Sequence, residues 1–196
     1  MTERPSKIKR RTLIQSAVAG LALSPLALSG MSKSAVGEGP VSGKITGKGV
    51  GDFDFLAGEW KIKHRKLKEG TTDDWQEFES GATVHRVLNG MGSIEELRGP
   101  KGNDFGMGVR VWHPGEKMWA DHWTSAANGV VNAPQMGQFI DGEGVFISDD
   151  EMDGKPIKAR GMWDRITPMS CRWHQSTSND GGKTWVYNWY MDWTRV

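Results

Sequence analysis

The chain of 196 residues contains one cysteine and two tyrosines. A single cysteine, Cys171, excludes an intramolecular disulfide, so the stability of the fold must come from its core. No segment after the first 30 residues repeats apolar side chains at three- and four-residue spacing over three turns, which argues against a helical domain. The five histidines show neither His-x-His nor His-x-x-x-His spacing, so no metal site is predicted.

The chain also lacks a basic surface once its N-terminus is set apart. Of its 25 basic and 24 acidic side chains, five basic and one acidic lie in residues 1–30, which leaves residues 31–196 with a net charge of −3. Such a surface does not attract phosphate backbones, and no later stretch interleaves basic with aromatic residues. We therefore expect no nucleic-acid partner.

Residues 1–30 have the organisation of an export signal peptide. A basic stretch at 7–12 precedes an apolar run at 13–28, and small residues follow it. The pair Arg10-Arg11 is similar to the twin-arginine export pattern; the alternative is an ordinary secretory leader. The apolar run is shorter than the roughly 20 residues that a spanning helix needs. We expect a periplasmic or secreted protein with no membrane span in its mature chain.

The rest of the chain is patterned for strands. Residues 31–51 are rich in glycine, serine and lysine, which is typical of a flexible linker. From Trp60 onward, apolar and polar side chains alternate in short stretches separated by turn residues. After the first strand, this alternation predicts strands at about 75–87, 93–98, 105–112, 117–124, 137–147, 156–164, 170–177 and 185–194. Roughly nine short strands indicate a barrel or a sandwich over residues 52–196.

One predicted hairpin, with its loop at residues 113–116, combines ionic and aromatic side chains. We expect it to pair Trp112 with Lys117, Arg110 with Trp119, and Gly108 with Asp121. One face of the hairpin then carries Trp112, Arg110, Trp119, Asp121 and Trp123. The other face carries Phe105, Met107, Val109, Val111, Met118, Ala120 and His122. Because neither face is polar throughout, we expect one to line the interior and the other to meet a covering segment or a second subunit of a homo-oligomer.

The first and last predicted strands each have an apolar face. In the first strand, Trp60, Ile62 and His64 share a face that is predicted to point inward. In the last strand, one face carries Trp185, Tyr187, Trp189, Met191 and Trp193, and this face is predicted to be buried.

Two short features at the ends of this region resemble the calycin superfamily. They are Gly58-x-Trp60 at the start of the first strand and Arg195 after the last one. Further motifs are similar to a bacterial family of lipocalin-like barrels without an established function: residues 54–60, His64-Arg65, 75–78, Arg172-Trp173, 180–185 and Asn188-Trp189. The resemblance covers about residues 52–196. It implies a single antiparallel β-barrel of eight to ten strands, closed at its base by Trp60 and Arg195.

The resemblance also draws attention to two histidines. His113 and His174 stand where the family pattern has acidic residues. Some related small barrels hold haem through one histidine near the C-terminal strands, a region where this chain offers only His174.

Two turn motifs have structural interpretations. Residues 178–185 match the Asp-box pattern once, whereas a propeller would repeat it in each blade, so we predict a hairpin turn held by Asp180. Residues 149–154 resemble the start of a calcium loop, but the twelfth position is Arg160 rather than a bidentate Glu, which favours a solvated turn.

The leading hypothesis from these patterns is binding of a small, largely apolar or aromatic molecule inside the barrel. The expected polar contacts are His64, Arg110 and Asp121, and the expected wall is Trp112, Trp119, Trp123 and Trp189. A second hypothesis is an enzyme in which His64 or His122 acts as general base beside Asp121 or Glu96. A third is a fully packed barrel that serves as an interaction module.

Overall fold

In the computed structural model, which describes residues 45–100 and 104–196, ten strands form a closed barrel. The strands are β1 Gly58–Leu67, β2 Trp75–Val87, β3 Gly92–Arg98, β4 Asp104–His113, β5 Met118–Ser125, β6 Gln135–Ile140, β7 Glu143–Met152, β8 Lys155–Asp164, β9 Ser170–Ser178 and β10 Val186–Arg195. Two short 3-10 helices lie at Asp54–Leu56 and Leu88–Gly90. The predicted export signal lies outside the described residues, as does most of the predicted linker.

Each strand pairs antiparallel with its neighbour in the chain, and β10 pairs with β1 to complete the ring. Closure pairs every strand on both sides, so the barrel has no free sheet edge. The prediction of an all-β, single antiparallel barrel of eight to ten strands is confirmed. The stretch 137–147, predicted as one strand, is two strands, because Asp141 and Gly142 adopt positive φ values of 52° and 86° and form a tight turn between β6 and β7.

One end of the barrel is closed by the segment before β1. The ring of Phe53 makes edge contacts with Trp119 and Phe139, each at 4.9 Å between ring centres. The indole Nε1 of Trp60 donates a hydrogen bond of 2.7 Å to the carbonyl oxygen of Leu56. Aromatic rings packed at these angles bury large apolar areas and fill this end of the interior.

Arg195 lies across the outside of this closed end. Its guanidinium carbon is 4.2 Å from the centre of the Trp60 ring, and its Nη1 and Nη2 atoms donate to the carbonyl oxygens of Ala57 and Phe55 at 2.6 and 2.7 Å. Gly58 lies beneath, with a φ of 125°, and a Cβ there would be 2.5 Å from Nη1. Glycine at this position therefore permits both the backbone bend and the close approach of the arginine.

The chain before β1 is held by a buried carboxylate. Asp52 is 1% exposed, and its oxygens accept hydrogen bonds from the backbone N–H groups of Thr46, Gly47 and Gly49 and from the Thr46 hydroxyl. Residues 45–51 are thereby folded back on the barrel, so contacts of the barrel domain extend beyond the predicted boundary at residue 52.

The register predicted for the hairpin of β4 and β5 is wrong by two residues. Trp112 pairs with Trp119, Arg110 with Asp121, and Gly108 with Trp123. A shift of two preserves the face of every side chain, so the face that combines Arg110, Asp121 and the tryptophans still points inward. Phe105 is different: the pairing of β3 with β4 is irregular beside it, and its ring lies near His64 and Trp189 in the interior, although it was predicted on the hairpin face opposite Arg110.

The prediction for the last strand is wrong at Tyr187. A register shift between Tyr187 and Trp189 breaks the alternation along β10. Trp189, Met191 and Trp193 remain on the inner face, but Tyr187 is 39% exposed and stacks on Tyr190 of the outer face. Within the described part of the chain, no helix has the length and apolar character needed to cross a membrane.

Candidate functional site

Above the aromatic base, the interior of the barrel contains a cavity of about 480 Å³. Five tryptophans supply much of its wall: Trp123, Trp163, Trp173, Trp189 and Trp193. Polar side chains, among them Asn132, Gln135 and Gln175, complete the lining. The volume, and a wall that is more apolar than polar, match those of small-molecule sites in proteins.

An ionic triad from three neighbouring strands forms part of this wall. Arg110 of β4 lies between Glu95 of β3 and Asp121 of β5. Its Nη2 atom is 2.6 Å from Glu95 Oε2, whereas its Nε atom is 3.4 Å from Asp121 Oδ1. The guanidinium carbon also lies 5.2 Å from the centre of the Phe53 ring, which places the triad on the aromatic base. One cation thus faces two carboxylates, of which Asp121 is the more loosely paired.

The low-dielectric surroundings shift the protonation of the triad. Burial raises the pKa of Asp121; the positive charge of Arg110 partly offsets this, and the Glu95 carboxylate adds to it. Burial alone would lower the pKa of Arg110, but the two carboxylates outweigh it and raise that pKa. Arg110 therefore stays charged, and the pKa of Asp121 lies above its ordinary value.

Glu95 was not among the residues predicted for the site; its neighbour Glu96 was proposed, as an alternative to Asp121. The side chains of β3 alternate, with Ser93, Glu95 and Leu97 buried and Glu96 exposed. The signal was present in the sequence, because an inward Leu97 places Glu95 inward as well.

His64 is buried inside the barrel but does not line the cavity. Its Nε2 atom is 2.6 Å from Ser80 Oγ, and its Nδ1 atom is 3.1 Å from the indole Nε1 of Trp189. Its ring also stacks on Phe78 at 4.3 Å. Burial, with a smaller contribution from the Lys66 charge, lowers the pKa of His64 to about 4. The histidine is thus a neutral partner of Trp189, which does line the cavity.

The other predicted site residues divide into two groups. Arg110, Asp121, Trp123 and Trp189 line the cavity together. Trp112 and Trp119 do not; their rings pack together at 5.8 Å between centres, and Trp119 contacts the base through Phe53. Trp112 also packs under Gly49, where a Cβ would be 2.2 Å from the ring.

The residues of the enzyme hypothesis are not brought together. His64 is bonded to Ser80 and Trp189 rather than to a carboxylate. The Nδ1 atom of His122 is 3.1 Å from the carbonyl oxygen of Asn132, and Glu96 is exposed beside Arg98. Although Asp121 lines the cavity, no described histidine forms a hydrogen bond with it.

His174 lies on the outer side of β9, not in the cavity. Its Nε2 atom is 3.3 Å from Asp164 Oδ2, and its ring lies beside those of Tyr187 and Tyr190. Burial lowers the pKa of His174, and the Asp164 carboxylate partly counteracts this. This location does not suit a haem ligand inside the barrel, and His113 is exposed at the end of β4.

The Asp-box motif forms a turn between β9 and β10. Asp180 accepts hydrogen bonds from the backbone N–H groups of Lys183 and Thr184 and from the hydroxyl groups of Ser178 and Thr184. These donors hold the pKa of the Asp180 carboxyl well below its usual range. The geometry is that of a structural turn, as the sequence predicts.

The fold and its site define a closed antiparallel β-barrel with an aromatic cavity above a packed base. No protein-family model matches the chain, and no curated protein is significantly similar to it. Across residues 45–100 and 104–196, no group of three or more His, Cys, Asp or Glu side chains is placed to hold a metal ion.

Proposed function

We propose that the protein is an exported, calycin-like barrel that binds a small, largely apolar or aromatic molecule in its interior. The observation that carries this proposal is the cavity of about 480 Å³, walled by five tryptophans and set above a closed base. A fully packed interaction module would leave no such space. Barrels of this size can enclose one small ligand.

Contacts between neighbouring side chains orient the wall of the cavity. The rings of Trp173 and Trp189 meet edge to face at 5.7 Å between centres. The hydrogen bond from Trp189 to His64 fixes the orientation of the Trp189 indole. A preorganised aromatic wall reduces the entropy lost on binding and therefore favours affinity for apolar molecules. In this proposal Trp123 and Trp189 contact the ligand, Arg110 and Asp121 provide polar contacts, and His64 is a positioning residue.

The experiment is native mass spectrometry of the mature protein purified from its own host, with the bound species identified after denaturation. Ala159 lines the cavity and is buried, so Ala159→Phe should fill part of it. The matched control is Ala127→Phe in an exposed loop. We expect a small molecule to accompany the parent protein and the control, and to be lost from Ala159→Phe.

Retention of the molecule by a folded Ala159→Phe protein would place its binding elsewhere and contradict the proposal. If Ala159→Phe does not fold, Trp123→Ala provides a second test, because it removes one ring of the wall. Export, location outside the cytoplasm and a homo-oligomeric state stay predictions from the sequence.

A further inference from the structure

The Arg110 guanidinium and two indole N–H groups beside the cavity are covered, whereas the Asp121 carboxylate is accessible from it. Among the residues that the structure describes, the Arg110 Nη1 atom and the indole nitrogens of Trp163 and Trp193 have no hydrogen-bond partner, yet each is covered by surrounding protein atoms. The Asp121 side chain, in contrast, is 16% exposed and lines the cavity. The charged group that a bound molecule meets first is therefore a carboxylate, beside aromatic rings and the neutral amides of Asn132, Gln135 and Gln175.

The ionic side chains of the cavity lining are mostly negative. Its ionic groups are one cation, Arg110, and four carboxylates: Glu95, Asp121, Asp149 and Asp150. Asp149 is exposed and lies 2.7 Å from Lys158 Nζ, so its charge is partly balanced at the rim. Deeper in the cavity, Arg110 makes its shorter contact with Glu95. The negative charge of Asp121 is therefore incompletely balanced. Such a lining disfavours an anionic ligand.

One tryptophan ring of the cavity wall already has a cationic side chain over its face. The Nζ atom of Lys66 lies 4.0 Å from the centre of the Trp189 ring. An ammonium ion over an indole face is attracted by the quadrupole of the ring, and this attraction grows when the pair is shielded from water. Trp123 is two residues from Asp121 on the same face of β5, so an indole and a carboxylate adjoin within the cavity.

We infer that the molecule bound in the cavity is an organic cation, an ammonium compound with an apolar or aromatic body, whose charged group lies between Asp121 and the tryptophan rings. This inference rests on the proposed function and names the ligand class. The cation supplies the positive charge that Arg110 alone does not provide for two carboxylates, and the apolar body fills the remaining aromatic space.

The test compares two probes of the same shape, phenyltrimethylammonium and tert-butylbenzene, in which a quaternary nitrogen replaces a carbon atom. Their dissociation constants are measured from the tryptophan indole N–H signals of the ¹⁵N-labelled mature protein. We expect the cation to bind at least tenfold more tightly. Asp121→Asn should reduce this preference at least fivefold and leave tert-butylbenzene affinity within twofold. Asp192→Asn, an exposed control on β10, should change neither affinity.

The unmodified protein gives a second measurement if Asp121→Asn does not fold. Asp121 faces Glu95 of β3 and Arg110 of β4 and adjoins His122 on its own strand. As the pH falls, protonation of Asp121 should weaken phenyltrimethylammonium binding and leave tert-butylbenzene binding unchanged. Equal affinities of the two probes at neutral pH would overturn the inference and leave the proposed function intact. Binding of neither probe would also overturn it, and native mass spectrometry decides the proposed function separately.

Discussion

The indole Nε1 of Trp189 donates to the Nδ1 atom of His64 at 3.1 Å, across the pairing of β1 with β10. Because an indole nitrogen can only donate, Nδ1 must be the unprotonated nitrogen, and the neutral ring carries its proton on Nε2. That proton is donated to Ser80 Oγ at 2.6 Å. A buried histidine thereby links the first strand to a ring of the cavity wall, in a network that requires the neutral form.

This network predicts a pH-dependent loss of stability. The pKa of His64 is lowered to about 4 by burial and, secondarily, by Lys66, whereas the unfolded chain has the ordinary value near 6.5. Between these values the unfolded state binds more protons, so stability should fall as the pH decreases from about 6.5 towards 4. In urea unfolding, the free energy of unfolding of His64→Gln should depend less on pH than that of the parent. The exposed His113→Gln should follow the parent curve; parallel curves for all three proteins would contradict the assignment.

The closure of the barrel predicts a large cost for losing Trp60. Its side chain is 2% exposed, bonded to Leu56 and covered by Arg195. Trp60→Ala should reduce the free energy of unfolding by about 3 to 5 kcal/mol, the range for removing a buried Trp or Phe. A double-mutant cycle with Arg195→Ala should show coupling, because the ring and guanidinium are in contact. Additive effects, or equal denaturation midpoints for Trp60→Ala and the parent, would contradict this role.

Loss of the Asp52 carboxylate should reduce the free energy of unfolding by a comparable amount. Four donors converge on this carboxylate, and removal of the acceptor would leave the buried N–H group of Gly49 without a partner. Asp52→Ala should cost about 2 to 4 kcal/mol, as expected when hydrogen bonds to a charged acceptor are lost. The exposed Asp73→Ala serves as control and should unfold like the parent. A cost below about 0.5 kcal/mol, the size of an ordinary surface change, would show that the carboxylate does not hold residues 45–51.

The N-terminal arginine pair makes a prediction about export. Arg10→Lys with Arg11→Lys preserves the charge of the basic stretch and removes the pair that the twin-arginine route reads. We expect unprocessed precursor to accumulate in the cytoplasm of the native host, detected by fractionation and immunoblotting. An Arg4→Lys variant controls for the loss of one arginine elsewhere in the predicted leader. Normal processing of the double variant would indicate a general secretory leader instead.

Much of the barrel could be predicted because successive side chains of a strand point to opposite faces of the sheet, so alternating apolar and polar residues show which face is buried. In β1, the period of two places Trp60, Ile62 and His64 on the buried face, as the structure shows. The hairpin register was wrong by an even number, so its inward face was still correct. Residues on one face of a regular strand can therefore be grouped even when their partners are misassigned.

Irregular strands and opposing side chains were harder to predict. The register shifts beside Phe105 and before Trp189 change which face of the sheet the neighbouring side chains point to. No local sequence pattern indicates these shifts. His64 was correctly expected inside, but its exclusion from the cavity depends on Phe78, Phe105 and Trp189, which come from three other strands. Such three-dimensional neighbours follow from strand register, which the sequence specifies only indirectly.

The last prediction concerns Lys66, the cation that already lies over Trp189. Burial lowers its pKa, and the charge of Glu69 counteracts this in part. If an organic cation occupies the cavity, the ammonium group of Lys66 repels it and competes for the Trp189 ring. Lys66→Met removes the charge and retains an unbranched side chain, so phenyltrimethylammonium should bind about three- to tenfold more tightly, as expected for losing a nearby like charge.

The two probes and a second lysine separate this electrostatic effect from a change in packing. Binding of tert-butylbenzene to Lys66→Met should remain within about twofold of the parent, because a neutral probe does not experience the lost charge. Lys61→Met, on the exposed face of the same strand, should alter neither affinity. Weaker cation binding in Lys66→Met would mean that the lysine supports the site, and equal strengthening of both probes would assign the effect to added apolar surface.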